Sequence, residues 1–445
     1  MILEEPIFPT LLRLSVPNVL NLLAFVGLIT FDGLFIGRLG PDALAGVTLA
    51  FPWVMLVQHT AASGMGGGVA SAVARALGAG QRARADALAY HAFILALALG
   101  AIFSTVMLVA SPLIFRWMGG QGEMLSAALS YSRVAFAGAV SICMLNLLGN
   151  VVRGTGNMAL PAGVIVGSVI GHVLLSPVLI FGFGPIPPLG PAGAGWGLIT
   201  SFGAGSLVLI WYLRSGRSLV TLVFRGVPLN WELFADILKV GVPGLINVGI
   251  TNLSVFVLTG VAGNLGQQTA IAYGMGARLE YILIPLAFGF GTAIVAMVGT
   301  NWGARQYRRA QQIGWIGAAT VGLTCAAVGL FFAVLPELWM RLFTGDAEIV
   351  GLGVTYLRTV GPFYGCYGLG MALYFATQGL GRPMATVASN GLRLLVSACA
   401  ALFAVYVLEA GAIGAFMAIA LGFVVYGGLN VLALLNIKEP VGSSR

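Results

Sequence analysis

The stretch LPAGVIVGSVIGHVLLSPVLIF, from Leu160 to Phe181, contains no acid, lysine or arginine. A helix needs about 20 such residues to cross the hydrocarbon core of a bilayer, where a backbone without water must close its hydrogen bonds internally. Comparable runs recur along the 445 residues, of which 59% are hydrophobic and 8% charged, against roughly a quarter charged in soluble domains. The fold class that follows is an all-α polytopic membrane protein.

Breaks at polar, glycine and proline positions predict about twelve spans, near 11–37, 44–70, 88–114, 128–150, 159–183, 190–213, 240–263, 268–298, 312–335, 352–376, 383–407 and 411–435. The even-numbered loops carry Arg82, Arg84, Arg153, Arg214, Arg217, Arg225, Arg305, Arg308, Arg309 and Arg382, whereas the odd loops hold Asp42, Glu123, Asp346, Glu348 and Glu409. By the positive-inside rule the even loops and both termini are expected on the cytoplasmic side, in a bacterial inner membrane. The acidic start MILEEPIFPT has no basic region or small-residue cleavage site, so the first helix is expected to be retained. The net charge of +8 is spread among short loops, which argues against nucleic acid as a partner; membrane lipid is the expected surrounding. Four cysteines without paired spacing, Cys143, Cys325, Cys366 and Cys399, indicate no disulfide framework, metal site or cofactor.

The longest polar break, Arg214 to Lys239, divides the chain into an expected amino-terminal lobe (1–213), a cytoplasmic linker (214–239) and a carboxy-terminal lobe (240–445). The lobes resemble each other. GMGGGVASAVARALGAGQRARA from Gly64 aligns with GFGTAIVAMVGTNWGARQYRRA from Gly289, and Tyr131/Arg133 falls on Tyr356/Arg358 at the same offset of 225. Six spans per copy return the second copy to the same side, so the repeats are parallel, as in secondary transporters whose halves work around a midplane site.

Charged and polar groups at bilayer depth are costly and face a cavity or a partner, which makes them the functional candidates. Asp32 lies about 22 Å along the first helix from Pro17 at 1.5 Å per residue, and Asn21 shares its face with Asn18 at the edge. Pairing with Arg38 at the helix end is the plainer alternative for this acid. Gly27 and Gly33 on either side are expected to admit a close neighbour or a bend. His172 stands in the uncharged fifth run with Ser168 one turn before and Ser176 one turn after; a neutral imidazole bonded to a carbonyl or hydroxyl is the alternative to a functional role. Asn247, Thr251, Asn252 and Ser254 give the seventh helix a polar face that lines a cavity or joins helices. Arg278 and Glu280 are two residues apart and do not face each other; each is expected to meet a partner on another helix, as is Arg393 beside Asn390.

With these residues in view, the chain resembles the multidrug and toxic compound extrusion (MATE) family over nearly its whole length. LRLSVPNVLN, FDGLFIGRLGPDALAGV, the paired LGAGQRARA and NWGARQYRRA, VRGTGN and LLSPVLIFG carry the likeness. The resemblance implies two six-helix lobes in a V and export of small amphipathic organic cations by proton or sodium antiport. It also implies that Asp32 is the first-helix acid that binds the coupling ion. Where many members read N-x-x-x-D-P in the fifth helix, this chain has His172 and Ser176 before Pro177. The seventh-helix glutamate of one branch falls near Thr251, and no acid stands in the tenth span. A hard cation wants several oxygen ligands, so protons are the expected coupling ion, with sodium second. A monomer is the expected state.

The competing readings are a lipid-linked oligosaccharide flippase of the same superfamily and an integral-membrane enzyme. The first would call for a basic central cavity, for which Arg278 and Arg393 are the chief in-span cations. The second would need a nucleophile beside a base or a clustered ligand set, and the three histidines, His59, His91 and His172, are far apart in sequence.

Overall fold

The computed structural model describes residues 2–224 and 226–437, with the backbone alone at Leu22, Leu23, Phe25, Val26 and Tyr281. Arg225, one of the loop cations, lies outside the described residues. Among the described residues the regular structure is helical, with an isolated bridge between Phe183 and Ile186. In order come α1 (Ile7–Gly37); α2 (Pro41–His59), which passes through a π-helical turn (Thr60–Met65) into α3 (Gly66–Gly78); α4 (Arg82–Trp117); α5 (Gly122–Ala137); α6 (Ala139–Gly154); α7 (Ala159–Phe181); and α8 (Pro191–Arg214). The second series is α9 (Trp231–Asn264), α10 (Gln267–Gly303), α11 (Tyr307–Val334), the short α12 (Pro336–Met340), α13 (Ala347–Val360), α14 (Tyr364–Gly379), α15 (Met384–Tyr406) and α16 (Gly411–Leu435).

Among the described residues nine helices are long and apolar enough to cross a membrane, and the pair α5–α6, bent by 47°, makes a tenth. α1 and the pair α13–α14 take the first place of the first series and the fourth place of the second. Both fourth places break at equivalent points: Gly138 separates α5 from α6, and a 3-10 turn at Gly361–Phe363 separates α13 from α14.

The backbone carries the repeat as well as the side chains do. Gly40 and Gly266, at the turns before α2 and α10, share the same extended left-handed geometry, with φ 123° and 125°. That region is closed to a residue with a Cβ. Gly80 and Arg305 both stand at positive φ, 72° and 60°, and so do Gly156 and Gly381.

Packing separates the chain into two compact units, Val16–Gly241 and Met1–Ser15 with Val242–Arg445. The divisions fall inside α1 and α9, each time directly before a Val-Pro pair, Val16-Pro17 and Val242-Pro243. A proline within a helix has no N–H for the carbonyl four residues back and crowds it, so the ladder is weakest at these two points.

In lipid the hydrophobic effect does not hold helices together, and small residues that allow close backbone approach take its place. The first unit shows this at α7 and α8, where a methyl group added to Gly193 would lie 2.5 Å from the Leu179 backbone. Buried amides add specific bonds: Asn146 Nδ2 donates to Gln58 Oε1 at 3.0 Å, and Asn150 Nδ2 to the Ala62 carbonyl at 3.0 Å. The linker is fastened to the same unit. Asp86 accepts from the Thr221 N–H at 2.6 Å, His91 Nε2 from the Asn230 N–H at 2.9 Å, and Asp236 pairs with Arg75 at 2.9 Å and Lys239 at 2.5 Å.

Candidate functional site

α1 has two faces. Pro17, Leu20, Ala24, Gly27 and Phe31 fall at helical spacing and form one wall of an apolar groove of about 690 Å3, whose other wall is α7 through Ala159, Gly163, Val166, Ile170 and Leu174. The volume is that of a site for a small organic molecule. Asn18, Asn21 and Asp32 occupy the other face. Asn18 is buried, Asn21 is half-buried with its Oδ1 unbonded among the described residues, and the Asp32 side chain is 15% exposed.

Asp32 meets His172 of α7. Its Oδ1 lies 2.7 Å from His172 Nε2, and the imidazole is fully buried. A neutral ring with its proton on Nε2 donates to the carboxylate, and Nδ1 is then a buried acceptor with no partner among the described residues. With the acid ionised the pair carries one negative charge; one added proton makes it neutral. Arg38, the alternative partner, is exposed at the helix end.

The ring is held by packing. A methyl group on Gly197 of α8 would lie 3.2 Å from His172 Nδ1 and 3.3 Å from the Ser176 Cα, so glycine at this position is what lets α8 press against the imidazole. Ser176 is buried with its hydroxyl unbonded among the described residues, whereas Ser168 donates to the Val164 carbonyl of its own helix at 2.9 Å. Tyr131, also buried, stands within electrostatic reach of Asp32. Gly27 and Gly33 have open space where a Cβ would sit, so the expected close neighbour is absent there. The close approach belongs to Gly197, which has no periodic signal to mark it.

The second unit has its own polar centre. Arg393 of α15 donates through Nε to Asn390 Oδ1 at 2.9 Å and through Nη2 to Ser254 Oγ of α9 at 3.1 Å. Asn390 in turn donates to Asn247 Oδ1 at 2.8 Å and Thr251 Oγ1 at 3.1 Å. Thr251 and Glu280 line a small cavity there. Asn252 does not join them: about 100° further round the helix, it is exposed and bonds the Val248 carbonyl. Glu280 accepts from Tyr356 of α13, while Arg278 is exposed and stacks over Phe343 at 5.1 Å. The sequence offered one clue to Tyr356, its repeat of Tyr131, and none to the aromatic rings around Arg393.

The two-fold series of helices is the pattern that known proteins share. The MatE family model matches residues 17–178 and again 243–403, once on each copy of the repeat. This chain belongs to the MatE family. Its MatE relatives include a "FAD transporter" of Shewanella oneidensis, 26% identical over 401 residues covering 89% of this chain and 87% of the relative. The "Probable multidrug resistance protein NorM" of Thermotoga maritima is 27% identical over 386 residues, 84% of this chain and 80% of that one. Among solved MatE structures, one described as "MATE in the bent conformation" superposes with a TM-score of 0.90 at 27% identity, covering 98% of this chain and 96% of that one. A Pyrococcus furiosus transporter whose description reads "reverse polarity of binding pocket suggests different function" gives 0.88 at 27% identity, with the same coverage. As a MatE protein with nine or ten apolar spans among its described residues, the chain is an integral membrane transporter.

Proposed function

We propose that this transporter exports small amphipathic organic cations in exchange for protons, and that Asp32 and His172 together bind the coupling proton. The observation that carries this reading is the 2.7 Å contact between the two side chains on the bundle side of α1, whose opposite face lines an apolar groove of about 690 Å3. With one negative charge the pair attracts an organic cation; neutralised by a proton, it lets the cation go. The relatives named as multidrug proteins favour this passenger class.

Sodium fits less well. A hard cation wants several oxygen ligands, and beside Asp32 Oδ1 stands an imidazole nitrogen. The distribution of arginines favours a cytoplasmic side for the even loops and both termini; in a bacterial inner membrane with that orientation, protons enter as the passenger leaves. Each net charge moved is worth about 2.3 kcal/mol per 100 mV.

The test is efflux of tetraphenylphosphonium from proteoliposomes under imposed pH and sodium gradients, comparing the parent with Asp32→Asn. A pH gradient is expected to drive efflux in the parent and not in the variant, which is permanently neutral at this position and holds the passenger more weakly. Efflux by the variant at the parent's rate refutes the coupling role. Transport of a flavin nucleotide in preference to the cation would move the passenger class toward that of the Shewanella relative.

A further inference from the structure

Helices α6 and α14 hold matching places in the two units, and their last turns differ by one buried charge. Every residue of 142–154 on α6 is buried, and so is every residue of 370–379 on α14. At the offset of 225, Gly154 falls on Gly379 and Gly156 on Gly381. The contacts repeat as well. A methyl group on Gly154 would lie 2.9 Å from the Ala70 carbonyl oxygen and from Val73 Cβ; on Gly379 it would lie 2.9 Å from the Val295 carbonyl oxygen and from Val298 Cβ, at the same offset again.

Within this matched frame Arg153 stands where the second unit has Gln378. Gln378 is fully buried, and its Nε2 donates to the Tyr374 hydroxyl at 2.6 Å. The first unit has Gly149 at the position of that tyrosine. A Cβ on Gly149 would meet Arg153 Nη1 at 3.6 Å, Pro161 of α7 at 3.7 Å and Leu209 of α8 at 3.9 Å. The guanidinium is therefore left uncapped on the side where the other unit carries a ring.

Arg153, a loop cation by its place in the sequence, lies in the last turn of α6 and is 5% exposed. Its Nε is sealed from solvent, and the guanidinium has no hydrogen bond, ion pair or ring contact among the described residues. The group keeps its charge at any working pH. A cation gains from the carbonyl end of a helix, but that gain is small beside what is lost by burying an ion without a partner. Packing does not call for the charge either, since an amide fills the same place in the second unit.

We propose that Arg153 anchors an oxyanion site at this end of the first unit, taking a phosphate group on its guanidinium fork from the side that Gly149 leaves uncapped. A planar fork of N–H donors matches two oxygens of such a group. The half-buried turn 155–157 forms the rim, where Asn157 Nδ2 donates to the Tyr212 hydroxyl of α8 at 3.3 Å. The arginine distribution favours the cytoplasm for this end, where phosphate groups are met both free in solution and on lipid headgroups. The site is separate from Asp32 and His172 and does not depend on their role.

Thermal melts of the purified full-length protein in detergent test it, because a ligand that binds the folded state raises the melting temperature with its concentration. Inorganic phosphate is expected to raise the melt of the parent and of Asp32→Asn by several degrees over sodium chloride of equal ionic strength, and to leave Arg153→Gln unmoved. Equal shifts in phosphate and chloride, or equal phosphate shifts in the parent and Arg153→Gln, overturn the proposal. Phosphatidylglycerol added to the micelles, compared with phosphatidylcholine, separates the sources: a rise that needs Arg153 and appears only with the anionic lipid assigns the phosphate to a headgroup. No rise of the parent with either probe overturns the site. Should Arg153→Gln not fold, Gly149→Val keeps the charge and fills the uncapped side; a phosphate shift equal to the parent's in that variant also overturns the proposal.

Discussion

Replacing His172 by phenylalanine isolates what the imidazole does for Asp32. The ring volume is nearly kept, so the contact with Gly197 and Ser176 survives, while the 2.7 Å bond from Nε2 to Asp32 Oδ1 is lost. A hydrogen bond to a charged group contributes about 1.5–3 kcal/mol, here to the ionised carboxylate alone. At 1.36 kcal/mol for each tenfold change, the loss is worth a factor of roughly 10 to 100 to the ionised pair. The sign follows from which form had the partner: the carboxylate loses a donor, so the form that attracts the cation is the one weakened. Measured as binding of tetraphenylphosphonium to the purified protein at one fixed pH, the dissociation constant is expected to rise roughly 10- to 100-fold. Ser168→Ala is the control, since its hydroxyl bonds the Val164 carbonyl of its own helix and its loss leaves the binding in place. A well-folded His172→Phe protein that binds the cation as tightly as the parent refutes the reasoning.

Two further predictions concern stability. Asp236→Asn leaves Arg75 and Lys239 without their acid; since Arg75 and Asp236 are only 13% and 12% exposed, the cost approaches the ~3 kcal/mol of a broken buried pair, and the melting temperature in detergent is expected to fall by several degrees. An unchanged melt would show that the linker needs no such fastening. Gly66→Ala puts a methyl group 2.2 Å from Asn150 Nδ2 and 2.7 Å from the Ala61 carbonyl, an overpacking worth about 1–3 kcal/mol; a thermal melt checks it, and Asn150→Ala in the same chain is expected to recover part of the loss.

Periodicity along one helix carried the reading of α1 a long way. Asn18, Asn21 and Asp32 fall on one side because 3.6 residues make a turn, and that side does turn from the apolar groove. The same rule could not choose between Arg38 and His172 as the partner of Asp32, since both answers satisfy the spacing on α1. Nor could it separate Thr251 from Asn252, adjacent in sequence, one lining the cavity and the other exposed. Glycines were the least readable: at Gly27 and Gly33, which flank the acid, an added methyl group would meet open space, while Gly197, in another helix, sets the position of its partner.

The sequence by itself determined that the chain is a bundle of membrane helices in two related copies, because an uncharged run of some 20 residues has no other stable use in a bilayer and an offset of 225 recurs in residues of several kinds. Tertiary structure alone decided which acid meets which base. Asp32 and His172 are 140 residues apart, and Arg393 finds its rings on α14 and α16, because depth and rotation between helices are fixed by side-chain packing across their interface. Hydropathy along any one of them does not contain that information.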